Sequence, residues 1–128
     1  MLVRTLSLLL ALFMVDSSAR AADAVAGKAF FTQSCAQCHS AAVNDGGGEM
    51  GPTLYGLLGR NAAAGDATFP YSQALKDSGL VWSAESLDRF LADPMTTVPG
   101  TMMPMPIPSK QDRDNVIAYF QSLAKGPR

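Results

Sequence analysis

The sequence predicts a small all-α domain in which about four short helices support two long loops. Apolar residues recur at helical spacing in several short stretches, and no stretch alternates long enough between apolar and polar residues to indicate a strand. The chain has 128 residues, of which 48% are hydrophobic and 16% are charged. This composition suits one folded domain and excludes a disordered chain. The net charge of −1 lacks the basic excess of nucleic-acid-binding proteins.

The N-terminal segment has the pattern of a secretory signal peptide. Arg4 supplies a positive charge, residues 6–15 form an almost unbroken apolar run, and Ala19-Arg20-Ala21 fits a small-x-small cleavage site. A retained membrane anchor is the alternative, but the run is shorter than the roughly 20 apolar residues that span a bilayer. We expect residues 1–21 to be cleaved, with cleavage three residues later as the alternative. Residues 22–128 then form a single domain that works outside the cytoplasm.

Two helices are predicted in the first half of this domain. The first covers Ala24–Ser34, and Asp23 is placed to cap its N-terminus. The second covers Ser72–Ser78, and Gly79 ends it because glycine readily adopts the positive φ that follows many helices.

Two further helices are predicted in the second half. Each begins after a serine that can accept hydrogen bonds from the first turn, Ser83 or Ser109. Pro94 ends the earlier helix, and Asp112 forms a capping-box pattern with Ser109. Both helices carry one apolar face: Leu87, Phe90 and Leu91 in the first, and Val116, Phe120 and Leu123 in the second.

The remaining stretches, Ser40–Pro70 and Met95–Pro108, are rich in glycine and proline and are predicted to be loops. Loops of this length are unusual in so small a domain unless something else orders them. A large bound cofactor would supply that order.

Cys35-Ala36-Gln37-Cys38-His39 has the C-x-x-C-H pattern of covalent c-type haem attachment. Two thiols three residues apart lie on one side of a helical turn, where each can add to one haem vinyl group. The next residue, His39, then points its imidazole at the iron.

The alternatives are a thioredoxin-like redox pair, a plain disulfide, or an ordinary surface histidine. A redox pair of that kind needs a βαβ pattern, which the sequence lacks. A four-ligand zinc site would need more ligands than the two cysteines and one histidine of this chain.

The opposite side of the iron has several candidate ligands. His39 is the only histidine, so the candidates are a methionine, a lysine or an open position. Five methionines follow the signal segment: Met50, Met95, Met102, Met103 and Met105. The last three cluster on a proline-rich loop, where fixed backbone angles can pre-order a ligand.

With these motifs the chain resembles class I cytochrome c, most closely the mitochondrial-type branch that is found also in bacteria. The resemblance covers nearly all of residues 22–128. Pro99-Gly100-Thr101-Met102-Met103 matches the Pro-Gly-Thr-x-Met pattern of the family, which implies that Met103 is the sixth ligand, with Met102 and Met105 as alternatives. Gly51-Pro52-Thr53-Leu54 resembles the family loop whose proline carbonyl accepts the proximal histidine Nδ1–H, so Pro52 is expected to orient His39.

The resemblance also implies supporting residues. Arg60, Tyr71, Ser72 and Trp82 fall where the family places donors to the haem propionates. Gly27 and Phe31 fall where the family packs its first helix against the last, here through Val116 and Tyr119.

The chain departs from the family pattern around the haem. Phe90 and Leu75 replace residues that are often polar in relatives, namely a tyrosine and an asparagine. The lysine ring around the haem edge is missing, and Ser34, Met95, Thr96 and Met102 occupy comparable positions. We therefore expect a mainly apolar docking face and an association with partners that depends weakly on salt.

The resulting expectation is a periplasmic monohaem electron carrier, not an enzyme, with one covalent haem c and with small transient interfaces to its partners. Its partners would be an upstream dehydrogenase or quinol-oxidising complex and a downstream oxidase or reductase, and the chain would be a monomer. A haem subunit bound permanently in a dehydrogenase is the alternative. An open-site haem enzyme or gas sensor is a further one, but it would need a distal acid–base group that the sequence does not offer.

Overall fold

A computed structural model of the chain describes residues 20–43, 48 and 50–124. Within these ranges the chain forms five helices and no strand, with one isolated bridge between Asn61 and Val81. The helices are α1 (Ala24–Ser34), α2 (Gln73–Asp77), α3 (Ala84–Ala92), α4 (Pro94–Thr97) and α5 (Lys110–Ala124). The all-α prediction is confirmed. Residues 1–19 of the expected signal peptide lie outside the described residues, and no described helix is long and apolar enough to cross a membrane.

Helix α1 begins where the sequence predicts. The Asp23 side chain accepts hydrogen bonds from the backbone N–H groups of Val25 and Ala26, at 2.8 Å and 3.2 Å. These bonds satisfy two of the donors that the first turn of a helix leaves without partners.

Helices α1 and α5 pack closely because one residue between them has no side chain. A Cβ added to Gly27 would lie 1.9 Å from the carbonyl oxygen of Asn115 and 3.0 Å from Cβ of Tyr119. The ring of Phe31, one turn later, lies 5.7 Å from the ring of Tyr119 between centroids. Val116 is buried in the same core. The predicted contact between the first and last helices is confirmed.

The predicted serine caps of the later helices are present. The hydroxyls of Ser83 and Ser109 accept from the backbone N–H groups of Ser86 and Asp112, at 3.1 Å and 3.2 Å. Helix α2 is shorter than the predicted Ser72–Ser78, because Ser72 is its cap and accepts from the Leu75 N–H at 3.2 Å. Gly79, after α2, has a φ of +64°, as its position predicts. A capping serine therefore marks the N-terminus of each of these helices.

Helix α4 corrects the prediction that Met95–Pro108 is entirely loop. Pro94 ends α3, as predicted, but it also occupies the first turn of the four-residue α4. Proline suits that position because the N–H that it lacks would have no helical partner there. The side chain of Asp93 caps α4 by accepting from the backbone N–H of Thr96 at 3.1 Å.

Candidate functional site

The Cys-x-x-Cys-His motif forms a turn directly after α1. The N–H groups of Cys35 and Ala36 both donate to the carbonyl of Phe31, and the N–H groups of Cys38 and His39 both donate to the carbonyl of Cys35. These bonds close a compact turn after the end of α1, and both thiols and the imidazole belong to it. The thiols are free and half-buried.

The chemistry of these thiols does not suit a redox pair. Burial raises the pKa of the Cys35 thiol to about 11, and the neighbouring Cys38 adds to the rise. Reactive cysteines instead have a lowered pKa, because the thiolate is the reacting form. The folded chain therefore keeps Cys35 as a neutral thiol at pH 7, which argues against the thioredoxin-like alternative.

A short loop fixes the orientation of the His39 ring. Nδ1 of His39 lies 2.8 Å from the carbonyl oxygen of Pro52. A carbonyl only accepts, so Nδ1 carries the proton and Nε2 retains a lone pair for a metal. A Cβ at Gly51 would lie 2.3 Å from Cε1 of the same ring, so only glycine allows this loop to pass so close.

The methionines of the candidate ligand set differ in exposure. Met102 and Met105 are 68% and 69% exposed, Met50 is 82% exposed and Met95 is 47% exposed. Met103 alone among the five is packed against the hydrophobic core, where its side chain is half-buried. Its backbone N–H donates to Oγ1 of Thr101 at 3.3 Å, which ties it into the turn at Gly100.

The loop that carries Met103 is anchored at its C-terminal end by Arg113. This buried guanidinium donates to the carbonyls of Ile107 and Pro108 at 2.8 Å and 2.9 Å, and its Nε donates to Asp88 at 2.8 Å. The N–H of Ile107 donates to the carbonyl of Leu91 at 2.7 Å. One side chain of α5 therefore links the loop to α3.

Arg60 and Trp82 are brought together by backbone pairing. The N–H of Trp82 donates to the carbonyl of Arg60 at 2.9 Å, and the N–H of Gly59 donates to the carbonyl of Trp82 at 2.7 Å. The buried Trp82 ring stands edge-on to Phe90, with 5.2 Å between centroids. Phe90 thus lines the core as an apolar residue, as expected from the sequence.

The terminal nitrogens of the Arg60 guanidinium make hydrogen bonds, whereas its Nε makes none to the described residues. Its terminal nitrogens donate to the carbonyls of Tyr55 and Thr53, at 2.7 Å and 3.2 Å. Its Nε is buried and has no hydrogen-bond partner among the described residues. An unpaired buried donor of a cation is costly, so this atom indicates an acceptor that the polypeptide does not supply.

Tyr71 lies in the same region as Arg60. Its hydroxyl oxygen accepts from the backbone N–H of Asp66 at 3.1 Å, which leaves the hydroxyl proton free to donate elsewhere. Gly65, next in the chain to Asp66, lies directly against the guanidinium, where a Cβ would be 2.2 Å from Cζ of Arg60. The three candidate propionate donors, Arg60, Tyr71 and Trp82, are therefore neighbours.

Sequence reasoning did not single out Gly65 or Arg113. The sequence signal for Arg113 was present, since it lies next to the apolar face of α5, where an unpaired charge would be costly. No signal in the sequence marks Gly65, because its close approach to the Arg60 guanidinium exists only in the folded loop.

These residues fit a covalent haem. The described residues offer two free thiols on one turn, an imidazole with an open Nε2, a methionine packed against the core, and a buried cationic donor that has no partner among them. A small all-α domain with this donor set defines the class of c-type cytochromes.

Comparison with known proteins identifies the same class of protein and also the family. The family model described as cytochrome c matches residues 24–124. Cytochrome c of Theileria parva is 42% identical over 80% of this chain and 87% of its own length. For cytochrome c of Euglena viridis the identity is 41%, over 79% of this chain and 97% of its own length. The solved structure of cytochrome cH from Methylobacterium extorquens superimposes with a TM-score of 0.69 at 40% identity, covering 78% of this chain and 98% of that one.

The chain belongs to the cytochrome c family, as a class I cytochrome c. It carries one covalently attached haem c, and it is an electron-transfer protein, not an enzyme, that works with redox partners.

Proposed function

We propose that the protein is a periplasmic carrier of single electrons, with His39 and Met103 as the axial ligands of its haem iron. The observation that carries the proposal is the exposure of the methionines. Met103 is packed against the core, whereas Met102 and Met105 on either side of it are mostly exposed. His39 complements it with an Nε2 that the Pro52 hydrogen bond leaves free.

The other residues of the motif would attach and orient the cofactor. Cys35 and Cys38 would form the thioether bonds, and Pro52 would hold His39 in the tautomer that binds iron. Haem supplies a redox-active iron, and a methionine ligand favours a higher reduction potential than a second histidine does. Because both axial positions would be filled by the chain, no substrate would bind at the metal.

Arg60, Tyr71 and Trp82 would support the haem propionates. The buried Nε of Arg60 has no acceptor in the described part of the chain, and the Tyr71 hydroxyl proton is available to donate. A carboxylate next to these groups would accept hydrogen bonds from both donors. The same bonds would offset the free-energy cost of burying the carboxylate. This pairing would keep the cofactor in one position while the iron changes its charge.

The location and the partners follow from the N-terminal pattern and from the proposed role. Residues 1–21 would direct the chain across the inner membrane and be removed, which leaves residues 22–128 in the periplasm. An upstream dehydrogenase or quinol-oxidising complex would reduce the protein, and a downstream oxidase or reductase would oxidise it. Mass spectrometry of the purified protein would give the cleavage site; an uncleaved N-terminus would contradict this part of the proposal.

A second candidate function is supported by the exposed methionines. Met95, Met102 and Met105 would also suit a permanent interface in a dehydrogenase complex. The elution volume of the protein expressed alone separates the two roles. A monodisperse monomer favours the carrier, whereas aggregation that a partner subunit relieves favours the bound subunit.

Optical spectra of the holoprotein test the axial ligands. We expect the oxidised wild type to have a weak iron–sulfur charge-transfer band at the red edge, and Met103→Ala to lack it. Met102→Ala and Met105→Ala are the matched controls, and both should retain the band. Rapid binding of CO by the reduced wild type at neutral pH would mean an open iron and would contradict the proposal.

A further inference from the structure

The segment that carries Met103 also presents apolar side chains to solvent. We call this surface the methionine rim and define it by Met95, Met102, Met105, Pro99, Pro104 and Pro106. The methionines are 47%, 68% and 69% exposed, and the three prolines are also exposed. Isolated exposed apolar residues are common, but here three exposed methionines and three exposed prolines fall within twelve residues of the chain.

The methionine rim carries no charge of its own. Residues 94–109 contain no Asp, Glu, Lys or Arg, and the exposed carboxylate of Asp93, just before them, accepts the Thr96 N–H as the cap of α4. The helices at the two ends of this segment have cations that are already paired: Arg89 with Glu85 on α3, and Lys110 with Asp114 on α5. Helix α2 also approaches the rim, since a Cβ at Gly100 would lie 3.2 Å from Cβ of Ala74, but its charged residues, Lys76 and Asp77, have opposite signs.

We infer that the methionine rim is the docking surface for a redox protein whose own electron-transfer face is apolar and uncharged. The inference rests on the proposed function, because it assumes that the electron leaves the molecule beside Met103. The charged groups of a strongly acidic or basic partner face would lose hydration against the methionines and prolines, which offer no opposite charge in return. An apolar face would bury the methionine side chains, whose flexible thioethers adapt to different surfaces.

The composition of the rim favours a protein over a bilayer. Membrane-surface segments combine basic residues with Trp, Phe or Leu, and residues 94–109 contain none of these and no Lys or Arg. A second copy of the chain is the competing occupant, and the oligomeric state of the wild type tests it below. A small apolar contact is instead suited to a short-lived encounter that must release its partner after each electron.

Voltammetry on coated gold electrodes provides partners of known surface chemistry. The holoprotein is compared on monolayers that end in mixed methyl and hydroxyl groups and on monolayers that end in carboxylates. We expect the wild type to exchange electrons on the apolar monolayer, with a rate that changes less than about twofold between about 10 mM and about 0.5 M NaCl. Met102→Lys should slow that exchange about tenfold or more, and it should gain a salt-sensitive response on the carboxylate monolayer. Val25→Lys on α1 is the matched control, since Val25 is 79% exposed outside the rim.

Several results would overturn the inference. A wild type that prefers carboxylates and loses its response with salt would show a charged docking face. An equal effect of Val25→Lys and Met102→Lys would show that the rim is not the contact. Co-sedimentation of the wild type with phosphatidylcholine–phosphatidylglycerol vesicles, lost in Met102→Lys, would assign the rim to a membrane, and a dimer lost in that variant would assign it to a second copy.

The charge-transfer band of each sample separates this inference from the proposed function. An absent band in the wild type contradicts His39–Met103 ligation. A normal band together with the wrong monolayer preference contradicts only the docking surface.

Discussion

The two sides of the candidate haem site are held in different ways. On the side that we call the histidine side, residues 35–40 and 51–54 are joined by backbone hydrogen bonds, including Gly51 N–H to the Cys38 carbonyl at 2.7 Å and Leu54 N–H to the Ser40 carbonyl at 2.7 Å. On the methionine side, residues 98–109, the loop end is anchored by the Arg113 side chain, which donates to the carbonyls of Ile107 and Pro108, and by one backbone bond from Ile107 to Leu91.

This difference predicts an order of opening. The histidine side continues directly from α1, which packs on α5 through Gly27 and Phe31, so it cannot open without disturbing the core. The methionine side is buried only at Val98 and Ile107, where Arg113 and the backbone bond from Ile107 to Leu91 hold it, so the segment between these two residues can detach while the core stays folded. We therefore expect the methionine ligand to be lost before the histidine ligand under mild denaturation.

Replacing the anchor of the methionine side should have the largest effect. Arg113→Met removes three charge-assisted hydrogen bonds, so we expect a loss of about 3 kcal/mol of unfolding free energy, measured by urea titration. The charge-transfer band should disappear at lower urea than helical circular dichroism does. Arg89→Met is the control, because the exposed pair of Arg89 with Glu85 contributes about 0.5 kcal/mol or less. Simultaneous loss of the band and the helices in Arg113→Met would contradict the separate anchoring of the loop.

Crowding the histidine side should have the next largest effect. Gly51→Ala places a methyl group against the His39 ring and should cost about 2 kcal/mol of unfolding free energy through overpacking. It should also shift the imidazole resonances of His39 in NMR spectra. Gly56→Ala is the control: Gly56 has a φ of +65° and no atom within 4 Å of the added Cβ. It should cost about 1 kcal/mol through backbone strain alone and leave those resonances in place.

Removing the positive charge of Arg60 tests whether this residue faces the cofactor, apart from both the histidine side and the methionine side. Arg60→Leu eliminates two hydrogen bonds to carbonyls and should cost about 1 to 2 kcal/mol of unfolding free energy. It should also lower the reduction potential, because a missing cation makes the oxidised iron relatively more stable. Voltammetry of Arg60→Leu and Arg60→Lys measures this, with Lys expected to restore most of the potential. An unchanged potential in Arg60→Leu would mean that the guanidinium does not face the cofactor.

The smallest expected effect is a pH response at α4, next to the methionine side. Hydrogen bonds from the side chain and backbone of Thr96 lower the pKa of Asp93. Asp93 therefore stabilises α4 as a carboxylate above its unfolded-state pKa, and this contribution is lost as the pH falls through the lowered value. The Thr96 amide resonance should shift in that acidic range in the wild type and not in Asp93→Asn. The same shift in both proteins would assign the titration to another group.

The sequence predicts features that depend on nearby residues better than features that depend on distant segments. Helix caps such as Asp23 and Ser83, and the turn at Cys35–His39, depend on neighbours a few residues away, so local patterns reveal them. The hydrogen bonds from Arg113 to the methionine loop, and the close approach of Gly65 to Arg60, depend on segments that meet only in the folded chain. Helix α4 was missed because Pro94 ends one helix and begins the next, and a local pattern shows only the first of these effects.

The choice of Met103 over its neighbours is the central claim, and NMR of the reduced holoprotein with ¹³C-methyl methionine tests it most directly. We predict that one methionine methyl is shifted far upfield by the porphyrin ring current, that it disappears in Met103→Leu, and that it stays in Met102→Leu and Met105→Leu. An upfield methyl that survives in Met103→Leu, or none in the wild type, would contradict His39–Met103 ligation.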